Sequence, residues 1–163
     1  MDLSNFDLED LLLAAIKSEV DSKELYLKMS KKTKNGLLQD KLKFLSKEEE
    51  KHRLFVEDIY RNHFPEKDVI LPKKTPVPLP KVEITEDIPL SKLLRSAMDS
   101  EKSASDFYKI LAERFEEGTK INNTLLYFSD MELGHYKILE MEKESMERFE
   151  EADVYWPMVH VGP

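Results

Sequence analysis

The 163-residue sequence contains no cysteine. Disulfides, thiolate nucleophiles, cysteine zinc sites and cysteine-ligated iron–sulfur clusters are therefore excluded. Glycine is scarce, with four in the whole chain, and no glycine-rich phosphate loop or serine nucleophile motif occurs. No long apolar run is present. The longest near the N-terminus, LLLAAI, is far too short to span a bilayer, so no membrane association is expected. The start, MDLSNFDLED, is acidic and lacks the basic opening of a signal peptide, which gives a cytoplasmic expectation. A basic excess is missing too. The net charge of −8 argues against nucleic acid as a partner.

What the chain does have is charge and helical rhythm. Charged residues make up 36%, above the usual quarter, beside an ordinary 40% of hydrophobic residues. That mixture suits amphipathic helices in a single domain. Six of the eight prolines fall in residues 64–89, where they forbid a continuous helix. On either side lies a long helical pattern broken once, at Asn35-Gly36 and at Gly118-Thr119. Glycine can take the left-handed conformation that ends a helix, and Thr119 can cap the next.

The spacing thus predicts an all-α, four-helix bundle within one domain, 1–163. Its helices cover about 7–34, 37–63, 90–117 and 120–150, with a crossover at 64–89 and a tail at 151–163. Helices 1 and 2 form one antiparallel hairpin, helices 3 and 4 another. The crossover, extended, reaches up to ~85 Å. Helix 2 is only ~40 Å long. The crossover can therefore run the length of the bundle and leave helices 2 and 3 parallel.

Each helix has an inward seam with alternating three- and four-residue steps. Helix 2 reads Leu38, Leu42, Leu45, Glu49, His52, Val56, Ile59, and helix 4 reads Ile121, Leu125, Phe128, Glu132, His135, Leu139, Glu142, Met146. Helix 1 carries Glu19 mid-seam and helix 3 carries Glu101. The halves also repeat. AIKSEVDSKELY (15–26) aligns with AMDSEKSASDFY (97–108) at an offset of 82, and Glu49 and His52 align with Glu132 and His135 at an offset of 83.

Glu19 lies 17 residues before Gly36 and Glu49 lies 13 after it, while Glu101 and Glu132 flank Gly118 by 17 and 14. Each glutamate is thus roughly 20–25 Å from its turn, so all four meet at one level. Four carboxylates cannot share a dry core uncompensated. Two divalent cations would neutralise them, and each imidazole adds a neutral nitrogen ligand. A Glu from each of two helices plus Glu-x-x-His from the other two is a ligand set for a pair of metals. Oxygen and imidazole donors suit iron or manganese, with zinc possible. A single ExxH in a glutamate-rich helix is more often a solvated face. The coincidence of six residues in register sets this case apart.

These residues, with Tyr26 and Tyr108 seven positions after the single glutamates, resemble the ferritin-like superfamily and within it the rubrerythrin-like di-iron proteins. The resemblance spans essentially the whole chain. It implies a ferritin-like bundle with two iron ions, bridged by Glu49 and Glu132, with Glu19 and Glu101 terminal and one histidine on each metal. It implies that Tyr26 and Tyr108 hydrogen-bond ligand carboxylates, although amphipathic core packing accounts for them nearly as well. It also implies an oxidoreductase acting on H2O2 or O2, fed by a separate electron-donor protein because no rubredoxin cysteines are present. A homodimer is expected. Ferroxidase or iron-binding activity is one alternative, and a metal-free structural module is another. Rubrerythrins carry a further helix 3 glutamate three residues after the first. Here that position is Ala104, mirrored by Ser22, which leaves the simpler four-Glu, two-His set.

Among other residues, His63 and His160 are expected at the surface. Trp156 is expected to pack back on the bundle. Met98, Met131, Met141 and Met146 read as core filler, and Glu48 and Glu50 as solvated face.

Overall fold

The computed structural model describes residues 2–73, 75 and 88–155, with side chains described up to residue 148. Most of the crossover, Trp156 and His160 lie outside the described residues. Within them there are four helices and no strand: α1 (Leu8–Lys32), α2 (Gly36–His63), α3 (Leu90–Ala112) and α4 (Lys120–Tyr155).

The helix ends follow from local chemistry. Asp7 caps α1, its side chain accepting from the Asp10 N–H at 2.8 Å. Asn35 caps α2 by accepting from the Leu38 N–H at 3.2 Å. Gly36 therefore opens α2 instead of ending α1, and its φ is not positive. Gly118 does take the left-handed conformation, with φ 79, and Thr119 Oγ1 accepts from the Asn122 N–H at 3.3 Å. However, α3 stops at Ala112, well short of 117. The Asn122 amide donates to the Ala112 carbonyl at 2.9 Å, and Phe115 closes a tight turn onto the same oxygen at 3.1 Å. That side chain, from the next helix, replaces the backbone donor that would have continued α3. At the other end α4 runs past 150 to Tyr155, since nothing before Pro157 breaks it.

α1 packs along α2, and α3 along α4; between the hairpins α1 meets α3 and α2 meets α4. Two apolar clusters divide the core. One joins Leu11, Leu12 and Ile16 of α1 with Val56 and Ile59 of α2, Phe107 and Leu111 of α3, and Leu125 and Phe128 of α4. The other joins Tyr26 and Met29 with Leu38, Leu42 and Leu45, Leu93 and Leu94, and Leu139. The early half of α1 thus shares an end with the late halves of α2 and α3. So α2 and α3 run parallel, and the chain between them passes from one end of the bundle to the other.

Burial corrects two readings. Met141 is 65% exposed, so it fills no core, and Glu48 is 7% exposed, so it is not solvated face. Glu48 lies ~100° round the helix from Glu49, still within the buried stripe. Lys51 reaches its Oε1 at 2.6 Å. Met98 is buried, and Met131 and Met146 pack partly against the clusters. His63 is exposed, with Nδ1 at 2.9 Å from the Ile59 carbonyl.

Candidate metal centre

Between the two apolar clusters lies a polar layer. Glu19, Glu49, His52, Glu101, Glu132 and His135 are all buried there, each at most 4% exposed. Their seam positions bring them to one level, as the distances from the turns require. The ligand-capable atoms form two quartets, Glu19/Glu49/His52/Glu132 and Glu49/Glu101/Glu132/His135, each with its atoms within 4.8 Å of one another.

Glu49 and Glu132 belong to both quartets, and each turns one oxygen to each histidine. Glu132 Oε1 is 2.9 Å from His52 Nδ1, and Oε2 is 3.0 Å from His135 Nδ1. Glu49 Oε2 is 3.5 Å from His52 Nδ1, and Oε1 is 3.2 Å from His135 Nδ1. Glu19 lies only on the His52 side, at 3.8 Å, and Glu101 only on the His135 side, at 3.6 Å. The imidazole rings are nearly parallel, 17° apart, with centroids 5.8 Å apart.

The two tyrosines cross between hairpins. Tyr108 of α3 donates its hydroxyl to Glu19 of α1, and Tyr26 of α1 donates to Glu101 of α3. Each bond occupies Oε1, while Oε2 of the same carboxylate faces the histidine. The hydroxyls thus orient the two carboxylates as well as packing the core.

The electrostatics are those of charge held out of water. Burial, then the charges of Glu49 and Glu132, push the Glu19 carboxyl well up. Burial, then Glu132 and Glu49, do the same to Glu101. Burial also raises Tyr26 and Tyr108, with the neighbouring carboxylates adding to it. For His52, burial opposes the charged ring, but Glu132 and Glu49 outweigh it and lift the group to about 9. His135 is lifted likewise, against burial, by Glu101, Glu132 and Glu49. Glu132 is held low, because His135 and His52 outweigh the cost of its burial.

The donor set fits a metal pair. Among the described residues, Glu49 Oε1, His52 Nδ1, His52 Nε2 and Glu132 Oε1 are buried with no hydrogen-bond partner. Three of these four atoms face the centre of the layer. His52 Nδ1 and Glu132 Oε1 approach closely yet form no aligned hydrogen bond. Such unpartnered polar atoms are costly in a dry core, and a shared cation would satisfy those that face it.

Sequence reasoning did not foresee three contacts in this part of the core. Phe128 lies over the His52 ring at 4.1 Å between centroids, and Phe55 packs edge-on against Phe128 at 5.2 Å. Ser105 and Ser129 form a buried hydroxyl pair at 2.9 Å between α3 and α4. Phe128 was on the seam, but periodicity does not say which side chain covers which.

An all-α bundle with a buried four-carboxylate, two-imidazole layer defines a ferritin-like protein whose side chains could hold metal. The chain belongs to the rubrerythrin family, whose model matches residues 10–91 and 92–158, a division at the start of α3 that gives each match one hairpin. It is similar over 91% of its length to a solved structure described as a hypothetical protein from Pyrococcus furiosus. That match has 34% identity, covers 95% of the other chain and has a TM-score of 0.77. No curated protein matches.

Proposed function

We propose that this chain is a di-iron carboxylate oxidoreductase that reduces peroxide or dioxygen with electrons from a separate donor protein. The observation that carries this reading is the sharing of Glu49 and Glu132 between two buried quartets, one oxygen toward each imidazole. In this reading Glu19, Glu49, His52 and Glu132 hold one iron, and Glu49, Glu101, Glu132 and His135 hold the other. Four ionised carboxylates would balance two doubly charged cations. An iron pair bound there supplies the electrons that cleave an O–O bond.

The chain's own residues do the rest. Tyr108 and Tyr26 keep their protons at neutral pH, since burial raises both phenols, and so remain donors that fix Glu19 and Glu101. The apolar clusters on either side exclude bulk water from the layer. The 163 residues hold no cysteine for a rubredoxin-type centre, which is why the reading takes its reductant from another protein. No helix among the described residues is long and apolar enough to cross a membrane.

Metal analysis should find close to two irons per chain, and the Glu132→Ala, His135→Ala double variant should lose part of that load. In anaerobic stopped flow, the diferrous protein should be oxidised faster by H2O2 than by O2 and turn over when a reductant is supplied. Faster oxidation by O2, with Fe(II) itself consumed, would replace this reading with ferroxidase activity. A double variant that kept the full metal load would refute the ligand assignment.

A further inference from the structure

We propose that the two metal positions load unequally, the His135 position first and the His52 position second. The inference rests on the di-iron reading above. Its basis is a difference between the two imidazoles that the near-twofold ligand set conceals.

Both rings turn Nδ1 to the carboxylates, so Nε2 is the outer nitrogen in each. When a cation binds one ring nitrogen, the opposite N–H becomes a stronger donor and needs an acceptor. Ligating histidines almost always have one, and its loss weakens metal binding about 10–100-fold. His52 Nε2 has none: the residue is 0% exposed, and the atom is buried without a partner. Phe128 lies over this ring, tilted by 33°, and Phe128 is itself packed edge-on by Phe55 and Tyr108. These rings cover the face of the imidazole, and no acceptor reaches Nε2. His135 differs. It keeps 4% exposure, and none of its atoms is both buried and unpartnered.

The asymmetry is written in the sequence. At the offset of 83 that relates His52 to His135, Phe128 corresponds to Leu45 and Phe55 to Ile138. The duplicated halves kept their ligands and diverged in what covers the rings. An aromatic plate closes the His52 side, and its counterpart on the other side is a smaller aliphatic residue.

The test is a Mn(II) titration of the chelator-stripped full chain, followed by calorimetry and electron paramagnetic resonance. The first equivalent should give the hyperfine pattern of isolated Mn(II), and exchange-coupled signal should grow only with the second. The two dissociation constants should differ about 10–100-fold. His52→Ala should keep the tight phase, and His135→Ala should lose it. Phe128→Leu, which thins the aromatic cover on His52, should narrow the gap. Coupled signal from the first addition, loss of the tight phase in His52→Ala, or an unchanged gap in Phe128→Leu would each overturn the proposal. Two equal sites overturn it alone, whereas no Mn(II) binding at all overturns the di-iron reading with it.

Discussion

Stripping the metal should make this protein steadily less stable as pH rises, which is a sign opposite to ordinary acid denaturation. In the metal-free fold Glu19 and Glu101 hold protons that the unfolded chain releases near the ordinary carboxyl value of 4.5. His52 holds one up to about 9, against 6.5 when unfolded. Groups with raised folded values stabilise the fold fully below their unfolded values. That contribution is lost as pH climbs through the folded values. Each proton retained by the fold alone removes about 1.4 kcal/mol of stability per pH unit. For His52 the window runs from 6.5 to about 9. Crossing it costs about 3 kcal/mol, a large share of a small domain's total stability. Glu132 has the opposite sign, but its held-low carboxyl acts only below 4.5. Bound divalent cations replace those protons, so the gain from metal should grow with pH. The assay is urea unfolding of chelator-treated and Mn(II)-loaded protein at pH 5.5, 7 and 8.5. Metal-free stability that stays flat or rises from pH 6.5 to 9 would refute the electrostatic account of the layer.

Other outcomes follow from the same geometry. Tyr26→Phe and Tyr108→Phe should each weaken Mn(II) binding about 10–100-fold, measured by competition with a chelating dye, with unchanged affinity arguing for packing alone. Leu125→Ala, at a position with 0% exposure, should cost about 2–5 kcal/mol in guanidinium unfolding. Asn122→Ala removes the donor to the Ala112 carbonyl and the acceptor for the Gly118 N–H. It should cost about 1–3 kcal/mol in the same assay while leaving metal stoichiometry unchanged.

Much of the site was legible in the sequence because it sits on helical seams. All seven seam residues read for α2 are buried, from Leu38 to Ile59. A period of 3.6 fixes which side chains share a face, and equal distances from the turns fix their level. The tyrosines were expected to bond ligand carboxylates, but their pairing across the hairpins, Tyr26 with Glu101 and Tyr108 with Glu19, is seen only in the structure. What escaped were features decided by a neighbouring helix. The end of α3 is set by Asn122 of α4, and the cover on His52 by Phe128 of α4. The buried Glu48 shows that a stripe is wider than its central line. None of these leaves a mark on its own helix's periodicity.

The division of each quartet between the hairpins sets how the molecule breathes. Three residues of a quartet come from one hairpin, and the fourth, Glu132 or Glu49, comes from the other. The helix backbones lie closer within each hairpin than between them, where side chains of the two apolar clusters span the gap. The plane between hairpins is therefore where the fold should part first, with each hairpin holding its own helices together. Metal held by the quartets would span that plane at mid-height, as the two tyrosine bonds do. Amide exchange at the ends of the bundle should feel the metal little. Exchange near Glu49 and Glu132 should slow most on loading, because their opening requires both hairpins to let go at once.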